Sequence, residues 1–143
     1  MTMLTDAQQM LIDQEGLRLK VYLDSLGIET IGVGRNLRDK GITQEEAMIL
    51  FNADLCDALD DVRHNCSCYD QLSRPRQLVM ISLAFNMGRI GLGKFVRFLG
   101  ALHLGHYDDA ADELLNSKAA KQDAPARYQQ LAEMMRNDVS EWV

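Results

Sequence analysis

The sequence predicts an α+β fold, mainly α, on three observations. After Gly16 the apolar period changes to two as far as Leu23, glycines interrupt the β-branched stretch that follows, and from Thr43 onward apolar residues recur at helical spacing. The 143 residues, 47% hydrophobic and 25% charged, amount to one soluble globular domain with enough chain for a real core.

Thr5 and Gln8 fit a capping box, the hydroxyl covering a free amide and the glutamine reaching back, so a helix is expected from about Asp6. Ala7, Met10 and Leu11 follow at helical spacing, and Gly16 supplies the backbone freedom on which helices stop. Leu17, Leu19, Val21 and Leu23 alternate with Arg18, Lys20 and Tyr22, the pattern of a half-buried strand. Asp24 to Gly27 turns the chain into a return strand from Ile28 to Gly34, β-branched at Ile28, Thr30, Ile31 and Val33. Gly32 and Gly34 interrupt that strand, which marks a bulge or a close approach by another chain or a ligand. Asn36 to Gly41 reads as a short polar loop.

Thr43 and Glu46 make a second capping box, opening a helix through Ala47, Leu50, Phe51, Ala53 and Leu55 towards Val62. Ser73 caps the next, with Pro75 in its first turn and Leu78, Val79, Ile81, Leu83 and Phe85 as its buried positions, and Gly88 is expected to end it. Phe95, Phe98, Leu99 and Leu102 mark a helix stopping near Gly105; Tyr107, Ala110, Ala111, Leu114 and Leu115 mark another. Pro125 opens a last amphipathic run through Tyr128, Leu131, Met134 and Met135 to Trp142. The eight methionines suit irregular core gaps.

Chemistry concentrates in Glu15 to Arg35, EGLRLKVYLDSLGIETIGVGR. Glu15 falls in the last turn of the first helix, where the macrodipole disfavours a carboxylate. Loss of water at a lobe interface would add to that, and a general acid working near neutral pH needs its proton kept. Asp24 at a strand end and Thr30 opposite it can meet beside Glu15, and a carboxylate with a hydroxyl can hold one water. Each residue alone has an ordinary structural role, as helix end, turn opener or strand residue. Their combination in this frame points to catalysis.

The spacing E-x8-D-x5-T, inside EGLRLKVYLDS and TIGVGR, resembles the phage-type lysozymes (endolysins) of glycoside hydrolase family 24. The motifs ITQEEA from Ile42, LFN from Leu50, YDQL from Tyr69 and FNMG from Phe85 resemble that family in the same order, over nearly the whole chain. The resemblance implies a lysozyme-like fold: one domain over residues 1–143, with a small helix-and-hairpin lobe over about 1–42. A long connecting helix over about 43–65 would lead to a helical C-terminal lobe over about 70–143. It also implies hydrolysis of the β-1,4 bond between N-acetylmuramic acid and N-acetylglucosamine in bacterial peptidoglycan. Glu15 would protonate the leaving oxygen while Asp24 and Thr30 orient the attacking water. That is the inverting arrangement, with carboxyl groups about 6.5–9.5 Å apart, against about 5–5.5 Å for a retaining nucleophile. By the same resemblance Phe85 and Asn86 line the saccharide cleft, Asn36 stands on its opposite rim, and Arg127 matches an arginine that pairs with the catalytic Glu. Packing or turn chemistry suits the first three equally well, and plain exposure suits Arg127. Two departures stand out. AAKQDAPARYQQ lacks an aromatic residue that family members carry there, and Arg35 replaces a frequent histidine, a change expected in local ion pairing.

The formal net charge of −6 sets the chain against an anionic wall polymer. Either Arg18, Lys20, Arg35 and Arg38 gather around the cleft, or short-range sugar contacts dominate. The same charge disfavours nucleic acid as a partner. MTMLTDAQQM lacks the basic and apolar regions of a secretory signal, and no stretch resembles a membrane span. The expectation is a monomer held in the host bacterial cytoplasm before lysis, with no membrane insertion. The resemblance implies release by a holin and action on the wall from the periplasm. Cys56, Cys66 and Cys68 are too few for a disulfide scaffold. Cys66 and Cys68 with His64 outline a metal site, yet no fourth ligand or second pair follows at zinc spacing, so unligated thiols are favoured. No metal or cofactor is expected. Asp54, Asp57, Asp60 and Asp61 lack an EF-hand glycine and closing Glu, and read as a solvated face.

Other classes remain open. A silent murein-binding module would not need Glu15, and an all-helical interaction protein would not need the glycine-rich hairpin. A lytic transglycosylase shares the substrate but uses no attacking water, leaving Asp24 and Thr30 without a task.

Overall fold

The computed structural model describes residues 5–143. Helix α1 (Asp6–Glu15) leads into strands β1 (Arg18–Leu23), β2 (Glu29–Gly32) and β3 (Arg35–Asn36), and helix α2 spans Gln44–Asn65. A 3-10 turn (Tyr69–Gln71) precedes α3 (Arg74–Gly93), α4 (Val96–His103) and α5 (Tyr107–Leu115); a π-helical turn (Ala119–Asp123) precedes α6 (Pro125–Asn137). This is the expected mainly helical chain with a small antiparallel sheet near its start. It divides into two compact units, Met1–Leu50 and Phe51–Val143, the boundary falling inside α2.

In the first unit the capping box forms as predicted. Gln8 N–H donates to Thr5 Oγ1 at 3.2 Å and Thr5 N–H to Gln8 Oε1 at 2.8 Å. Gly16, at φ 81°, stops α1 and donates its N–H to Ile12 O. The sheet order is β1-β2-β3, with Tyr22 opposite Thr30 and Thr30 opposite Asn36. β3 is a strand that the sequence reading missed, since two residues are too short to show a period. The half-buried β1 is corrected too: Leu17, Leu19, Val21 and Leu23 are all exposed. From Arg18 to Tyr22 the chain advances four positions while the partners, Gly32 to Thr30, advance two, and this irregularity interrupts the pleat on which a continuous buried face depends. Arg35 bridges two parts of this unit. Its Nη2 lies 2.6 Å from Glu46 Oε2 and its Nη1 donates to Gly41 O, tying the start of α2 to the third strand.

In the second unit the predicted faces meet. Val62 of α2, Val79, Met80 and Leu83 of α3, Phe98 and Leu102 of α4, Leu114 of α5 and Leu131 and Met135 of α6 are buried together. Gly88 ends the first helical stretch of α3 as expected: at φ 72°, ψ 180° it leaves helical geometry, and beyond this kink a second, short helical stretch runs to Gly93. The last run does not reach Trp142 as a helix, because Asp138 turns left-handed at φ 57° and closes α6 at Asn137. The Ser73 hydroxyl donates to the Asp138 carboxylate, and Arg76 donates to Met135 O at 2.8 Å while stacking 3.7 Å over the Tyr107 ring. Phe85, expected to be buried, is 46% exposed. Of the methionines, Met80, Met134 and Met135 fill the core whereas Met10 and Met48 are exposed; Met1 and Met3 lie outside the described residues. Among the described residues no single helix is long and apolar enough to cross a membrane.

Candidate active site

Glu15 is the last residue of α1, exposed, and its side chain lies against Gly34. A Cβ on Gly34 would stand 3.2 Å from Glu15 Oε2, at φ 64°. The glycine therefore answers the close-approach reading: what approaches is the candidate acid itself.

Asp24 and Thr30 are joined through one residue between them. Asp24 Oδ1 accepts from Leu26 N–H at 2.8 Å and from Ile28 N–H at 2.9 Å, which fixes the carboxylate at the turn. Thr30 Oγ1 donates to Ile28 O at 2.8 Å, and that carbonyl also accepts the Asp24 N–H at 3.0 Å. Thr30 is the only fully buried polar residue among the described residues, 3% exposed. Its proton is committed to Ile28, so its oxygen faces other groups only as an acceptor. The second oxygen of Asp24 is likewise an acceptor. No sequence signal pointed to Ile28, because it acts through its peptide group.

Asn36 sits opposite Thr30 in β3, and both ends of its amide go to Asp39: Nδ2 donates to Oδ2 at 3.0 Å and Oδ1 accepts the Asp39 N–H at 2.9 Å. The basic side chains of this unit are largely engaged. Arg18 stacks 4.4 Å over Tyr22, Arg38 lies 2.8 Å from Glu29, and Arg35 holds Glu46. The Arg35 hydrogen bonds, followed by those of the Thr43 cap, pull the Glu46 carboxyl down from 4.5 to about 2.

Within the second unit, Phe85, Asn86 and Arg127 meet at one groove of about 390 Å³, walled by Phe51, Leu78 and Trp142 among others. Phe51 and Phe85 pack edge to face, centroids 5.8 Å apart. Arg127 Nη1 donates to Asn86 Oδ1 at 3.0 Å, and Asn86 Nδ2 donates to Ser82 O at 2.8 Å, so the amide is oriented from both ends. Trp142 was read as part of an amphipathic helix and not as a groove residue; only the break at Asp138 puts it there.

Residues 12–135 match the phage lysozyme family. The chain belongs to that family. Among its curated relatives, the endolysin of Salmonella phage P22 is 37% identical over 125 residues, covering 77% of this chain and 79% of that protein. The pre-baseplate central spike protein Gp5 of Enterobacteria phage T4 is 33% identical over 130 residues, 71% of this chain, which spans only 23% of that longer protein. A probable T4-type lysozyme 2 of Dictyostelium discoideum is 25% identical over 144 residues, 80% of this chain and 85% of that one. As a phage lysozyme the chain is a glycoside hydrolase of the cell-wall class. The lysozyme-like fold expected from its motifs is the fold observed.

Proposed function

We propose that this phage lysozyme is a muramidase, hydrolysing the β-1,4 bond between N-acetylmuramic acid and N-acetylglucosamine in peptidoglycan. The observation that carries this reading is the shared anchoring of Asp24 and Thr30 on Ile28, in the same unit as a helix-end Glu15 packed on Gly34. Two fixed acceptors suit a water that donates one proton to each, which turns its lone pair outward for attack. As the water oxygen bonds to the anomeric carbon, Asp24 takes the water's proton and Glu15 gives its own to the departing glycosidic oxygen. With the water as nucleophile, the anomeric centre inverts.

Phe85 and Asn86 are assigned to saccharide contacts: an aromatic face for a sugar ring and an amide pre-oriented by Arg127 for an N-acetyl group. Asn36 contributes from β3, where its amide closes the turn with Asp39. Likeness to an endolysin supports a role in host lysis: a monomer made in the bacterial cytoplasm and passed by a holin to the wall. The test is Glu15→Gln. It abolishes clearing of outer-membrane-permeabilised cells while circular dichroism and melting stay as in the parent; near-normal clearing would remove Glu15 as the acid.

A further inference from the structure

We propose that Cys66, Cys68 and His103 form a binding site for Zn²⁺, separate from the glycosidase residues. One ligand atom from each, the two Sγ atoms and a ring nitrogen, lie within 4.8 Å of one another. The sequence alone points to His64; the fold instead brings the last residue of α4 to the segment that follows α2.

Each ligand is held for the task by its backbone or by a second hydrogen bond. Cys66 N–H donates to Val62 O at 2.8 Å, and Cys66 O and Cys68 O accept from Tyr69 and Gln71 of the 3-10 turn, which fixes where both side chains start. His103 Nδ1 lies 2.7 Å from Leu99 O. A carbonyl can only accept, so Nδ1 carries the proton and Nε2 presents its lone pair, the orienting bond that metal-ligating histidines use. That Nε2 is 3.5 Å from Ser67 Oγ, on the residue between the two cysteines.

The donor set selects the metal. Two thiolates and a neutral imidazole suit Zn²⁺, and three protein ligands leave the fourth tetrahedral position to solvent. On binding, both thiols release their protons to solvent, two Zn–S bonds and one Zn–N bond form, and the two thiolate charges cancel that of the ion. Cys66 is buried while His103 is exposed, so the ion enters from the α4 side. The sulfurs stand 3.0 Å apart and open to about 3.8 Å around a tetrahedral zinc at about 2.3 Å from each. The bound ion ties the end of α2 to the end of α4 and stabilises the second unit.

The experiment is a Co²⁺ titration of the full chain, reduced with a phosphine and kept anaerobic, followed by displacement with Zn²⁺. The expected result is one Co²⁺ per chain with thiolate-to-cobalt charge-transfer absorption, lost on adding one equivalent of Zn²⁺. Zn²⁺ raises the melting temperature and a chelator reverses the rise. His103→Ala, at an exposed position that leaves the core intact, weakens Zn²⁺ binding at least about tenfold, whereas Cys56→Ser leaves the absorption unchanged. Absence of the charge-transfer band, a band indifferent to His103→Ala, or a Cys66–Cys68 disulfide resistant to the phosphine would overturn the site.

Discussion

At Asp24 the observed turn bonds and the proposed water-activating role fall on one side chain, and a single pair of variants separates them. Asn keeps the oxygen that accepts from Leu26 and Ile28 but cannot take a proton from water. Asp24→Asn should therefore melt like the parent and lose at least about 100-fold in wall-clearing rate, the scale of general base catalysis. Asp24→Ala should lose about 1 kcal/mol of stability as well, by urea denaturation, because two turn amides lose their partner. Activity retained in the Asn variant would make Asp24 a turn residue only. Gly34 supplies the second residue-scale prediction. Gly34→Ala places a methyl group 3.2 Å from Glu15 Oε2 at a left-handed φ of 64°, and should cost about 1–2 kcal/mol while displacing the Glu15 side chain, the proposed acid. Clearing activity and urea midpoint should fall together; a silent variant would contradict the packing of Glu15 on Gly34. The places of Glu15 at a helix end, Asp24 at the turn and Thr30 in the return strand were legible because each sits inside a local element with a clear signal. Ile28 was not, since a peptide group that anchors two side chains leaves no mark on residue type.

At the scale of elements, stop and start signals read more clearly than what lies between them. Both N-terminal capping boxes and the glycine stop of α1 stand where the residue types put them, because caps are local chemistry. The irregularity in β1 and the two-residue β3 depend on cross-strand partners, and period alone does not report them. Arg35 shows what a family departure does: it forms a paired clamp on Glu46, the N3 residue of the α2 cap. Since the folded-state carboxyl sits near 2 against 4.5 when unpaired, its contribution is complete above about pH 4.5 and is lost as pH falls through about 2. Glu46→Gln should thus lower the urea midpoint at pH 7, with the difference from the parent shrinking between pH 4.5 and 2. A difference independent of pH would show that the clamp does not act through charge. Both side chains are partly exposed, so added salt should narrow the gap at neutral pH.

Over the whole molecule, charge is the property that sets this lysozyme against its polymer. The net −6 opposes approach to an anionic wall, and Arg18, Arg35 and Arg38 are already engaged with Tyr22, Glu46 and Glu29. On the proposed function, short-range sugar contacts, with Phe85 and Asn86 at the groove, would then be the source of affinity. The clearing rate should rise as ionic strength is raised from about 10 mM, where the Debye length is about 30 Å, towards 0.1 M, where it is about 10 Å. A monotonic fall over that range would mean that a basic surface steers binding after all. The proposed attack of water at the muramic acid anomeric carbon is tested by digesting purified peptidoglycan in H₂¹⁸O and weighing the fragments. The expected product has N-acetylmuramic acid at every new reducing end, each carrying one ¹⁸O. Anhydro-muramic ends without label, new N-acetylglucosamine ends, or an undigested polymer would contradict it.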